Sequence, residues 1–476
     1  MGEASMKKQL KCSKKYKYRQ RGSLTLACCL MLPAIILLMT SLLVGSIWTR
    51  QDLDAVRAAR QSAASALAAF DRGLYRDFGL FALTDQDVKR TSSDFLLPDT
   101  YCQKITVEDS LYEKEQLMGA IARHMSVRAT AGLIDEAIGR IREIRNIAPD
   151  NMADSVRSLD GSDPDTANPD LEEDETNEEW FSEYSQYIDQ EYRDDYHDSL
   201  LGLSPVYVPD ADGGGSVEDF DPYQVSSLEK LAQGLDTMMF TLPEGFTDQL
   251  LLTEYSLSYF GSQVNSLKQN GAIKQYRTPD GRLHRLFAES RQYEQEMIAT
   301  GAVGVQAARN VKYFLVGFRI LINLLSTILS ADERASFDAK AAVISATVSV
   351  ISAGFITIPP EAISVVLIIS DSIARGIKDK NKLLDGEEVK FWPSAGANAF
   401  KVNYRDHVRL LILTQPREQL LERISAAIKN NYGDEYFTAV SCEVTRPAYV
   451  VGKFSRHDFA ITIERRYFSR EEEETG

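Results

Sequence analysis

Five histidines and five cysteines are the side chains best suited to hold a metal or act as nucleophile or base, and their spacing argues against both roles. His124, His197, His284, His407 and His457 are scattered and make no H-x-x-x-H pair. With no C-x-x-C either, a structural or catalytic zinc site has no sequence support. No G-x-S-x-G elbow presents a serine, and no G-x-x-x-x-G-K-[ST] loop cradles phosphates, so the chain is not expected to be the ATPase of any assembly it joins. Asp160, Asp163, Asp165 and Asp170 are spaced like calcium ligands. The EF-hand template nevertheless fails, with Ala167 at its fifth position and Asn168 where glycine is needed. Paired carboxylates abound between 150 and 222, but a disordered segment cannot hold two acids at the separation glycoside hydrolysis requires. The expectation is a chain with no catalytic residues, no metal and no cofactor.

The elements around these residues explain the lack of a site. Residues 22–49 form one uncharged, apolar run, preceded by a basic tail carrying Lys7, Lys8, Lys11, Lys14, Lys15, Lys17, Arg19 and Arg21 against Glu3. A helix of that length crosses the roughly 30 Å hydrocarbon core, and the basic flank stays in the cytoplasm. A cleaved signal peptide is the competing reading. The run is longer than an h-region, and no A-x-A site follows it before Trp48, so a retained anchor is expected. Pro33 is tolerable in a membrane helix. The bulk of the chain then lies outside the cell membrane.

With 476 residues, 44% of them hydrophobic, the chain has ample material for a core. Its net charge of −16 is concentrated in 150–222, where 23 acidic residues face Arg157 and Arg193. Nucleic acid is not expected as a partner, since the only strongly basic segment is the short tail. Of the cysteines, Cys12 lies in the tail and Cys28 and Cys29 in the apolar run, leaving Cys102 and Cys442 outside. These two either close a disulfide between the start and end of the exterior region or remain two buried free thiols.

Leu53, Val56, Arg60, Ala63, Leu67, Phe70 and Leu74 recur in steps of three and four, the seam of an amphipathic helix that continues the membrane helix as a stalk. A second helix is expected over 113–147, stopped by Pro149. The acidic stretch 150–222 reads as a flexible insertion. Thr278-Pro279-Asp280-Gly281 marks the turn of a small hairpin. Residues 341–358 and 362–370 are apolar on either side of Pro359 and Pro360, and read as a buried helical hairpin rather than a membrane one. Residues 404–429 read as helix interrupted near Pro416, and 436–444 and 459–467 as two strands.

The expected fold is α+β and mainly helical, with a single N-terminal transmembrane helix running into a stalk helix. Its parts are a basic cytoplasmic tail (1–22), the transmembrane helix (23–49), a stalk and helical region (50–149) and the acidic insertion (150–222). A helical core with C-terminal strands (223–470) and an acidic tail (471–476) follow.

The basic stretch, the Arg21-Gly22 pair, a small residue and one membrane helix over 19–43 resemble the N-termini of TadE- and TadG-like proteins of the Flp/Tad pilus system. Residues 51–83 resemble more closely an uncharacterised Tad-associated family of mostly Gram-positive bacteria. In that family a stalk helix ends in D-x-x-L-x-x-x-[YF]-G-L-[FL], matched here by Asp71, Leu74, Phe78, Gly79, Leu80 and Phe81. Segments 254–260 and 290–301 and the apolar helices of 313–375 fit the same family. The resemblance implies a non-catalytic, pseudopilin-like or scaffold role in pilus assembly or secretion, with the lipid bilayer and other Tad-like membrane proteins as partners. It also implies prepilin-peptidase cleavage between Gly22 and Ser23, although the pilin glutamate five residues after the cut is Ala27 here. The alternative function is a membrane-anchored extracytoplasmic sensor or ligand-binding protein, for which 22 cytoplasmic residues leave no room for a signalling domain.

Overall fold

A computed structural model of the chain describes residues 3–92, 101–128, 131–149, 151–157, 159, 206–209, 215–220, 225–240, 246–269, 271–351, 359–396, 399–451 and 454–468. The calcium candidates and most of the acidic insertion, like the acidic tail, lie outside these residues. The fold is mainly helical with a small sheet component. It divides into two compact units: residues 1–70, 82–109 and 437–476, and residues 71–81 and 110–436.

The first unit is built on the helix Glu3–Ala68, of 66 residues, with Pro33 inside it. Residues 27–43 are exposed all round, Leu30 at 71%. Beyond Trp48 the buried face only overlaps the expected seam, sharing Ala63 and the half-buried Leu67 with it. Ala55, Ala59, Ala63 and Ala66 are buried, whereas Leu53 is 53% exposed and Arg60 is exposed. The alanine row lets the helix backbone approach the sheet closely and costs no side-chain entropy, which a leucine row would not allow. The sheet has the order Cys102–Ser110, Phe437–Arg446, Phe459–Arg466. The last two strands are antiparallel, from Phe459 opposite Arg446 to Arg466 opposite Ala439. Val440, Cys442 and Val444, at the two-residue period of a strand, meet the alanine face.

The strand Cys102–Ser110 lies in a region expected to be helical; its Ile105 and Val107 pack into the same clusters. It also decides the cysteines. Gln103 donates to the buried Cys442 sulfur at 3.5 Å, and since successive strand residues point to opposite faces, Cys102 is turned away and exposed. Both thiols are free, and the disulfide weighed above is not formed.

The second unit is a helical core around Val305–Ile328. That helix is long and apolar enough to cross a membrane, yet 83% of the stretch is buried inside the protein. Arg319 within it is fully buried and donates to Asp379 at 2.6 Å and to the Lys390 and Phe391 carbonyls. Pro360–Leu384 packs along it, and a Cβ on Gly376 would lie 2.7 Å from Ile320, so glycine permits the approach. The 341–375 hairpin is only half buried. Pro360–Leu384 buries Ile363, Val366, Ile369 and Ile373, while Ala331–Ile351 leaves Val343 67% and Val350 80% exposed; residues 352–358 lie outside the description.

The single helix expected over 113–147 is two, Lys114–Arg128 and Ala131–Ile147. The turn at 278–281 is present, with Gly281 N–H donating to the Thr278 carbonyl. Its flanks pair as expected over a short stretch, with an antiparallel bridge from Arg277 to Leu283 and the His284 amide donating to the Tyr276 carbonyl at 3.0 Å; beyond it Ala272–Gln275 pairs instead with Ser266–Gln269, and His284–Leu286 is a short 3-10 helix. Pro416 separates Tyr404–Leu413 from Arg417–Tyr432 and caps the latter, as its fixed φ and missing N–H favour.

Candidate functional site: a clamp on residues 71–81

The motif Asp71…Phe81 is placed residue by residue within the second unit. Asp71 is the N-cap of the helix Arg72–Phe78: its Oδ1 accepts from the Gly73 and Leu74 amides at 2.6 and 3.2 Å. Its Oδ2 accepts from the Tyr436 hydroxyl at 2.6 Å. Leu74, Phe78 and Leu80 are buried, and Phe81 stacks on Tyr75 with centroids 4.5 Å apart. Gly79 ends the helix at φ 71°, where its amide donates to the Tyr75 carbonyl. A Cβ there would lie 2.3 Å from His124 Nε2, so both the left-handed backbone and the space require glycine.

Arg291 is the centre of the bed that receives this helix. Its guanidinium lies 4.4 Å from the ring centroids of both Phe78 and Phe287. Its Nε is 3.0 Å from both Glu294 carboxylate oxygens, and Nη2 donates to the Tyr259 carbonyl at 2.7 Å. Glu294 accepts in addition from the Gly261 amide and from Asn431. Burial pushes the Glu294 carboxyl above its usual range. The Tyr255 hydroxyl donates to the Phe78 carbonyl at 2.8 Å.

A second set of charges holds the helix from its side. Asp77 accepts from Tyr432 at 2.8 Å and from Arg282 and Arg76. Burial alone would raise its carboxyl, but Tyr432, Arg76 and Arg282 outweigh it and hold Asp77 below the usual range. Arg128 pairs with Asp280 and donates to the Tyr75 hydroxyl at 2.9 Å. Tyr259 donates to Asp280 at 3.1 Å and meets His124 Nε2 at 2.6 Å. With Tyr259 as donor to Asp280, Nε2 is the protonated nitrogen of His124. Burial lowers the His124 pKa, which keeps the ring neutral.

Two further ionic clusters lie deeper in the unit. Glu254 receives Arg409 at 2.6 Å, and Asp406 receives Arg409 at 2.7 Å and Arg140 at 2.8 Å. Glu296 Oε1 accepts from Ser262, the Gln263 amide and Tyr404, while its Oε2 has no partner among the described residues. Burial raises Glu296, which favours a neutral carboxyl.

Around Phe78 and Asp77 the carboxylates are paired with guanidinia, and burial raises the Tyr255 and Tyr259 phenols far above the range in which they would ionise. Among the described residues, no group of three or more His, Cys, Asp or Glu is placed to hold a metal ion. An open recess of about 430 Å³ lined by Lys268, Gln269, Ile273, Glu387, Glu388 and Lys401 mixes both charges without a convergent set of donors.

The structure brings the three resembling segments together: 71–81, 254–260 through Tyr255, Tyr259 and Phe260, and 290–301 through Arg291 and Glu294. Gly22 and Ser23 belong to the first unit, inside the leading helix, in a stretch whose side chains are outside the description. Sequence reasoning missed His124, Tyr432 and Tyr436 because their partners are remote, Tyr436 and Asp71 standing 365 residues apart, and it singled out 290–301 without the contacts of Arg291 to Phe78 and Tyr259. Comparison with family models, with curated proteins and with solved structures finds no match to this chain.

Proposed function

We propose that the chain is a non-catalytic, membrane-anchored component, pseudopilin-like or scaffold, of a Tad/Flp-like pilus assembly or secretion system. The observation that carries this reading is the leading helix. Its apolar part, exposed over residues 27–43, is continuous with the alanine face that docks on the sheet of the first unit. So much exposed apolar side chain is unfavourable in water and is satisfied by a bilayer. The helix is then one rigid rod from membrane to folded domain. The basic tail faces the cytoplasm and the rest of the chain lies on the other side. Val305–Ile328 belongs to the core of the second unit in this reading, leaving one span. The clamp on 71–81 supports a structural part, since its charges are spent internally.

The test is cross-linking in the native membrane followed by purification through this chain. Recovery of inner-membrane pilus-assembly proteins is expected, together with loss of pili or secretion when the chain is deleted. Deletion without effect on either, with no such protein recovered, would overturn the proposal.

A further inference from the structure

Two short paired strands of the first unit are fastened to the leading helix where its apolar run ends. On Phe437–Arg446, Val440 packs beside Ala66, and Cys442 and Val444 beside Ala55, Ala59 and Ala63. The strand therefore runs back along the helix towards its apolar part. Two short strands follow, Tyr449–Val451 and Phe454–Arg456, paired with Phe454 opposite Val451 and Arg456 opposite Tyr449. Arg456 fastens this hairpin to the helix. Its guanidinium donates to the Trp48 carbonyl at 2.9 Å, to Gln51 at 2.7 Å and to Asp52 at 2.8 Å, and it lies 5.4 Å from the Trp48 ring centroid. The Tyr449 hydroxyl accepts from Arg456, and the Tyr449 ring meets Trp48 edge-on at 6.3 Å. At this level Val450 is 71% exposed. In residues 27–50 only Val44, Gly45 and Trp48 are partly covered; at helical spacing they continue the face of Asp52 and Ala55 on which the hairpin is fastened.

We propose that the paired strands Tyr449–Val451 and Phe454–Arg456 are a second membrane contact, resting through Tyr449 and Val450 in the outer interfacial layer of the bilayer beside the span. This rests on reading the leading helix as membrane-spanning. The position is set by the chain itself: Trp48 and Tyr449 are the side chains that settle at a headgroup boundary, and Arg456 holds the hairpin to them. Val450, otherwise a large apolar side chain left in water, is satisfied there. Two contacts, one spanning and one interfacial, fix the tilt and rotation of the stalk in a way that a helix alone does not.

The test uses the full chain in phosphatidylcholine–phosphatidylglycerol vesicles, with Cys12, Cys28, Cys29 and Cys102 replaced by serine. Cys442 is left in place because it is buried and its thiol is pushed up by burial. A nitroxide is attached in turn to Val450→Cys, to Leu38→Cys inside the apolar run and to Glu464→Cys, and its collisions with oxygen and with an aqueous nickel chelate are measured. Glu464 stands opposite Ser441, about 20 Å up the strand from the hairpin end. The expected result is nickel access at 450 at least threefold below that at 464, with oxygen access between those at 464 and 38. Equal nickel access at 450 and 464 would place the hairpin in water and overturn the proposal. Protection at 450 from both reagents would mean a second protein covers it, also against the proposal. Nickel access at 38 as high as at 464 would refute the span itself, a separate failure.

Discussion

In the first unit a helix and a sheet meet through Ala55, Ala59, Ala63 and Ala66, side chains that contribute close approach and little else. In the second unit the helix Arg72–Phe78 is received by Arg291 and Glu294 under Phe78 and by Arg282 and Tyr432 on its own Asp77, a bed of charge. The difference teaches how each contact specifies itself. An alanine face accepts any sheet that fits, whereas a buried ion pair penalises every arrangement that leaves one partner alone. The first kind suits the rod that we propose continues from a membrane span. The second suits a joint that must have one geometry, and it is where the motif residues are concentrated.

The largest effect is expected where a charge is removed from the second unit. Arg291→Met leaves Glu294 buried without its cation and should cost about 3–5 kcal/mol, read as a lower denaturation midpoint of the full chain in detergent micelles. Arg291→Lys should recover only part of this, because the guanidinium uses several directions at once and stacks between two rings. A loss below about 1 kcal/mol for Arg291→Met, the usual size for a surface pair, would break the comparison.

Acid should act next, on the second unit. Burial lowers His407 to about 4 and His284 to about 3, so both are neutral in the fold while the unfolded chain protonates them below about 6.5. Stability from each is complete above that pH and is lost as pH falls towards 4, on the order of 3 kcal/mol for His407. The raised Glu294 and Glu296 oppose this fall, since the folded state binds their protons more readily. The difference between the wild-type chain and His407→Leu isolates the histidine. That difference should shrink as pH falls from 6.5 to 4, and a constant difference would contradict the linkage.

Smaller effects sharpen the contrast of side-chain size. Gly79→Ala should cost about 2–3 kcal/mol through its left-handed backbone and the clash with His124. In the first unit Ala59→Leu should cost about 1–3 kcal/mol by forcing helix and sheet apart, while Leu53→Ala should change stability by less than about 0.5 kcal/mol because Leu53 lies in solvent. Thermal midpoints of the three variants, taken side by side, give the order.

Leu53 and Ala59 also mark how far the sequence could be read. Hydrophobic runs, Pro416 and β-branched alternation located the leading helix, the Tyr404–Leu413 and Arg417–Tyr432 helices and the strands Phe437–Arg446 and Phe459–Arg466, because each is a local signal. Periodicity found the stalk helix and its Ala63 and Leu67, but placed Leu53 and Arg60 on the buried face in place of Ala55, Ala59 and Ala66, since a count of apolar residues favours bulk and close backbone approach favours its absence. The strand Cys102–Ser110 was hidden because only Ile105 and Val107 alternate within a polar segment. In the candidate site the motif residues were legible as a pattern. Their partners were not: the bond from Tyr255 to Phe78 spans 177 residues, and nothing local encodes it.

The most direct measurement is the N-terminal sequence and intact mass of the protein extracted from its own membrane with detergent after an alkaline carbonate wash. The account predicts that the mature chain stays in the washed membrane and retains residues 23–49, with its basic tail intact or with a new N-terminus at Ser23. A mature chain beginning after Thr49 and released by carbonate would contradict it, since the helix would then be a discarded signal and the anchor would not exist.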